Sequence, residues 1–106
     1  MSDSLDRLFA TIAARKGADP ASSYTAKLLA EGVEKCAKKF GEEATEAVIA
    51  AISRDRTELA KESADVLYHL WVLWAASGVT PEEVYAVLRA RESQSGLAEK
   101  AARPKA

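Results

Sequence analysis

The residues best suited to chemistry in this chain lie in two short acidic stretches, Glu42-Glu43-Ala44-Thr45-Glu46 and Glu62-Ser63-Ala64-Asp65. Both contain an acid-x-x-acid spacing. On a helix, side chains three residues apart lie on nearly one face, so Glu43 and Glu46 form one converging pair and Glu62 and Asp65 another. Like charges held that close repel unless a cation sits between them.

Positions 46 and 62 are equidistant from position 54, and so are positions 43 and 65. If both stretches are helical and fold back at the Ser53-Arg54-Asp55 turn, Glu46 comes level with Glu62 and Glu43 with Asp65, roughly 12 Å or more from the turn. Four carboxylates then converge. Hard oxygen donors without histidine or thiolate suit Mg²⁺, with Mn²⁺ as a substitute, better than zinc or copper. Magnesium usually fills the rest of its shell with water and substrate phosphates, so the predicted chemistry is attack of an activated water on phosphorus. The competing reading makes these acids an ordinary solvated helix face. Asp65 favours the metal, because it directly precedes the apolar run that begins at Val66, where an uncompensated charge would be expensive.

Neighbouring residues extend this reading. Lys39 lies four residues before Glu43, on the same face, where its ammonium can meet substrate phosphates or simply form a helix ion pair. Lys35 and Lys38 are weaker candidates for that role. His69, four residues after Asp65, either hydrogen-bonds to that carboxylate from behind or is a satisfied core histidine. Tyr68, Trp71 and Trp74 have the spacing of core or interface aromatics, and Trp71 and Trp74 are assigned to dimer packing. Cys36 reads as a small buried residue with nothing nearby to make it a nucleophile.

The elements that must position these groups are all helical. Alanine is common, strand-forming runs are missing, and the few Gly and Pro fall between or interrupt periodic segments. A first helix is predicted from about Ser4 to Arg15, ended by Lys16-Gly17 and followed by a loop to Ser23. A second helical region runs from Ser23 or Tyr24 to about Ile52, with Gly32 and Gly41 marking a break or a place of close approach. Asp55 and Glu58 form a helix-opening pair for a third helix from Arg56 to Ser77. Its second half is apolar almost all round, so it needs cover on several sides, more than a chain this short readily supplies. Gly78 closes it, and Thr80-Pro81-Glu82-Glu83 opens a last helix to about Arg91. Residues 92–106 become small, polar and basic, as expected of a partly mobile tail.

Length and composition restrict what else is possible. A chain of 106 residues, 48% hydrophobic and 29% charged, fits one folded domain. Fifteen Lys+Arg against sixteen Asp+Glu give a net charge of −1, so no global basic field drives nucleic-acid binding. A single cysteine allows no internal disulfide, the start lacks a secretory layout, and the Val66–Ala76 run is too short to span a bilayer. A cytoplasmic protein is expected, with neither nucleic acid nor membrane as partner.

Taken together, Ser23-Tyr24-Thr25, Lys38-Lys39-Phe40-Gly41-Glu42-Glu43-Ala44-Thr45-Glu46 and Glu62-Ser63-Ala64-Asp65-Val66-Leu67-Tyr68-His69-Leu70 resemble the phosphoribosyl-ATP pyrophosphohydrolase family of histidine biosynthesis. The likeness spans roughly Leu5 to Arg103 and includes Ser95-Gly96-Leu97-Ala98-Glu99-Lys100 in the tail. It implies a MazG-like, all-α nucleotide pyrophosphatase: a four- to five-helix bundle that pairs through helices as a homodimer or a larger assembly. It also implies hydrolysis of phosphoribosyl-ATP to phosphoribosyl-AMP and pyrophosphate. By matched position, Glu43, Glu46, Glu62 and Asp65 hold Mg²⁺, and Glu42 is a further ligand or the base that orients water. Lys39 meets the phosphates, and Ser23, Tyr24, Thr25 and Lys100 contact the small-molecule substrate. The cyclohydrolase domain fused in some relatives is not seen in this sequence. Two rivals remain: a house-cleaning pyrophosphatase acting on another nucleoside triphosphate, and a non-enzymatic helical dimerisation module. A di-iron carboxylate bundle is disfavoured, because position 66, three before His69, is valine rather than glutamate.

Overall fold

The computed structural model describes residues 3–92. Five helices and no strand occur among them: α1 (Asp3–Ala14), α2 (Tyr24–Glu31), α3 (Val33–Ile52), α4 (Arg56–Ser77) and α5 (Pro81–Arg91). The all-α expectation is met. The expected tail, including Lys100, lies outside the described residues apart from Glu92. None of the described helices is long and apolar enough to cross a membrane.

The helical region predicted from Ser23 to Ile52 divides at Gly32, not at Gly41. Gly32 has φ 96° and ψ 176°, a conformation essentially restricted to glycine, and serves both as the C-cap of α2 and the N-cap of α3. Gly41 stays inside α3, where an added Cβ would meet nothing within 4 Å.

Local chemistry sets the other boundaries. Ser23 Oγ accepts the Ala26 N–H at 3.2 Å and caps α2. Asp55 Oδ1 accepts the Glu58 N–H at 3.0 Å and opens α4. Arg54 adopts φ 61° immediately after α3, and its N–H donates to the Ala51 carbonyl at 3.1 Å, which reverses the chain within the short Ser53-Arg54-Asp55 turn. Thr80 and Glu83 complete the capping box predicted for the last helix.

α3 and α4 form the principal pair, an antiparallel hairpin, with α1 packed on α4 and α2 on both arms. The core centres on Ile12, Leu28, Cys36, Trp71, Val72 and Ala75, with Leu5, Leu8 and Phe9 against it. Part of the cover for the apolar half of α4 therefore comes from within the chain, while Leu67 stays 39% exposed. Trp71, assigned from its spacing to dimer packing, is only 4% exposed, and its indole N–H donates to the Leu5 carbonyl at 3.2 Å. It stacks on the half-buried Trp74 with ring centroids 4.3 Å apart. The sequence reading missed that α1 returns across α4, so that an indole on a nearly all-apolar helix finds its acceptor on the chain's own first helix. Cys36 is fully buried and donates to the Leu28 carbonyl at 3.2 Å, and burial pushes its thiol pKa up. That is a packing role, not the environment of a nucleophile.

Apolar surface remains exposed elsewhere. Val48, Ile49 and Ile52 form a stripe on α3 at helical spacing, and Ile52 is 74% exposed. A cleft of about 310 Å³ beside it is lined by Ala50, Ala51, Arg54, Asp55, Arg56 and Leu59. This cleft lies at the turn of the hairpin and contains none of the four acids of the two motifs.

Candidate metal centre

The short turn makes the two acidic motifs face each other, as their symmetry about position 54 requires. Glu43 from α3 and Glu62 and Asp65 from α4 each offer an oxygen, and the three atoms lie within 4.8 Å of one another. Across an octahedral Mg²⁺ shell, with metal–oxygen distances of about 2.0–2.1 Å, opposite ligands are roughly 4.2 Å apart. The three carboxylates are thus close to the span of one such ion, and their hard oxygens match its preference. Glu43 and Glu62 are half-buried. Asp65 is exposed, contrary to the premise that its charge enters the apolar run, because close packing begins about one turn later, at His69. Glu46 is not one of the three, but its charge acts on Glu62.

Electrostatics mark Glu62 as the crowded member. Partial desolvation raises its carboxyl above the ordinary range, followed by a hydrogen bond with Glu58 and by the charges of Glu43, Asp65 and Glu46. Glu58 was read from sequence only as part of a helix start. Its four-residue spacing to Glu62 was the available signal that it also borders the acids.

The remaining candidates sit around this cluster. Lys39 Nζ lies 3.5 Å from Glu42, making the ion pair with that neighbour and not with Glu43. His69 is 6% exposed, and its Nδ1 has no hydrogen-bond partner among the described residues. It is therefore neither bonded to Asp65 nor a satisfied core histidine. Burial lowers its pKa, Glu43 and Asp65 pull it upward, and Lys39 lowers it further. Ser23 caps α2, and the hydroxyls of Thr25 and Tyr68 are hydrogen-bonded to each other. The Tyr24 ring stands edge-on to His69, with centroids 6.4 Å apart and planes at 86°. Lys100 is outside the described residues.

A wholly helical fold with facing acid-x-x-acid motifs on a hairpin is the architecture of the MazG-like, all-α nucleotide pyrophosphatase class. Comparison with known proteins narrows it. The profile of the family described as "Phosphoribosyl-ATP pyrophosphohydrolase" matches residues 5–92, which include every helix but the first residues of α1. The chain is 68% identical over 99 residues to a protein of Cereibacter sphaeroides (strain ATCC 17029) named phosphoribosyl-ATP pyrophosphatase, covering 93% of this chain and 96% of the relative. Similarly named proteins of Parvibaculum lavamentivorans and Ruegeria pomeroyi are 66% and 63% identical, covering 93% and 95% of this chain and 91% and 96% of theirs. The chain belongs to the phosphoribosyl-ATP pyrophosphohydrolase family.

Proposed function

We propose that this protein hydrolyses phosphoribosyl-ATP to phosphoribosyl-AMP and pyrophosphate, a step of histidine biosynthesis, in the cytoplasm and with Mg²⁺ at its acidic cluster. The observation that carries the reading is the convergence of Glu43, Glu62 and Asp65 across the hairpin in a chain of this family. These three residues hold Mg²⁺, or Mn²⁺ in its place, with Glu46 completing the acidic set. When bound, the ion supplies charge withdrawal from phosphorus, a more acidic water and neutralisation of the departing pyrophosphate. The acids of the chain repel the anionic substrate unless that ion intervenes, so binding of metal and substrate is cooperative.

The other groups act on the substrate and the water. Lys39 meets a phosphate oxygen with its ammonium, exchanging an exposed ion pair that is worth little for a contact with a denser charge. Glu42, released by that exchange, accepts a proton from the attacking water. The water oxygen bonds to phosphorus, the bridging bond between the α- and β-phosphates breaks, and pyrophosphate leaves with the bonding electrons or receives the new oxygen, according to which phosphorus is attacked. Two copies pair through the exposed Val48, Ile49 and Ile52 stripe, which supplies the surface a helical homodimer needs.

The test is pyrophosphate release from phosphoribosyl-ATP, dUTP, ATP and ITP, with and without Mg²⁺, for wild type and Glu62→Gln. Metal-dependent release confined to phosphoribosyl-ATP and lost in the variant supports the reading. Release from another triphosphate alone refutes the substrate, and release that ignores both metal and Glu62 refutes the site.

A further inference from the structure

Resting on the reaction just proposed, we infer that Tyr24 is the residue on which the adenine ring of the substrate docks, with His69 as its backing. Of the three consecutive residues Ser23, Tyr24 and Thr25, two have their side-chain groups engaged inside the fold: Ser23 Oγ in the cap of α2 and Thr25 Oγ1 with the Tyr68 hydroxyl. Tyr24 is left 53% exposed, although one edge of its environment is the buried His69 ring. Its orientation comes from His69, which meets it edge-on and is itself clamped edge-on by Tyr68, with centroids 5.0 Å apart. An aromatic ring that is braced on one side and open on the other is a stacking platform for a planar base.

Its position relative to the acids gives the platform a direction. His69 lies one turn beyond Asp65 on α4 and feels the charges of both Glu43 and Asp65, so Tyr24 stands one side chain away from the cluster. On the opposite side, toward the hairpin turn, the neighbours of Glu62 are Glu46 and Glu58. A nucleotide whose phosphates lie at the acids and their metal therefore meets further carboxylates if it extends toward the turn. Extending toward α2, it meets Lys39 and then an aromatic face. The nucleoside half thus lies at the α2 end.

A purely structural role for Tyr24, wedging α2 against α4, makes different predictions. The test titrates AMP and inorganic pyrophosphate separately, in the presence of Mg²⁺, into wild type, Tyr24→Leu and Tyr24→Phe, and measures the thermal midpoint of each. Leucine keeps an apolar contact with His69 but has no π face. Tyr24→Leu is expected to weaken AMP binding roughly ten-fold and to change pyrophosphate binding little. Tyr24→Phe restores AMP affinity, and the KM for phosphoribosyl-ATP rises in the leucine variant with kcat nearly unchanged. Equal loss of AMP and pyrophosphate together with a lower thermal midpoint overturns the inference, as does AMP affinity that is absent or unchanged by Tyr24→Leu. Wild type that releases no pyrophosphate from phosphoribosyl-ATP, yet loses AMP affinity in Tyr24→Leu alone, refutes the proposed reaction and upholds the docking residue.

Discussion

The same substitution, glycine to alanine, is expected to have opposite signs at two positions nine residues apart in the chain. At Gly32 the backbone stands at φ 96° and ψ 176°, and a Cβ there would meet nothing within 4 Å, so any penalty comes from the backbone itself. Placing a side chain on that conformation costs about 1–3 kcal/mol. At Gly41 the backbone is helical and the space is equally open, so alanine gains about 1 kcal/mol of helix propensity with no clash. A domain of this size shifts its midpoint by roughly 4–8 °C for each kcal/mol. Gly32→Ala is therefore expected to lose from about 4 °C to more than 20 °C, and Gly41→Ala to gain about 4–8 °C. The assay is thermal and urea unfolding of both variants and wild type in chelator, at one protein concentration, because bound metal and self-association both raise apparent stability. Two shifts of the same sign refute the reasoning. If both variants lose stability, α3 does not accommodate a side chain at Gly41. If both gain, the break between α2 and α3 is not where the strain lies, and the chain is continuous through Gly32.

Two further expectations concern the site and the surface. Because the folded Glu62 carboxyl has a pKa raised above its ordinary value of 4.5, its ionisation opposes folding. The metal-free protein is expected to lose stability as pH rises from 4.5 through that raised value, and Glu62→Gln to flatten this part of the thermal-midpoint profile; an unchanged slope refutes the crowding described for that carboxylate. Ile49→Glu, placed in the exposed α3 stripe, is expected to turn a dimer into a monomer by light scattering while leaving the helical circular dichroism intact; a dimer that persists places the interface elsewhere.

Much of this arrangement could be read from residue order. The caps at Asp55 and Thr80 and the stop at Gly78 were legible because each relies on the chemistry of a few adjacent residues. The facing of the acidic motifs was also legible, because the turn at Arg54 is so short that helical rise alone sets the register. Choosing between Gly32 and Gly41 was not possible from sequence, since both interrupt the same apolar stripe and only the backbone angle distinguishes them. Nor was the exposure of Asp65. An apolar run following an acid shows that something is buried nearby, but not at which turn the covering helix begins.

Sequence alone determined which groups are available and on which helical faces they lie: the acid pairs, Lys39 on the acidic face of α3, the caps and the all-helical character. These follow from spacing and local hydrogen bonding, which act over one or two turns. Tertiary structure decided what lies against what. It set Trp71 under α1, stood Tyr24 against His69 and left Val48, Ile49 and Ile52 bare. It also selected Glu43, Glu62 and Asp65 from the four motif acids as the closest set. Those outcomes depend on how α1 and α2 return across the α3–α4 hairpin, and burial between distant segments is non-directional, so it leaves no periodic trace in the sequence.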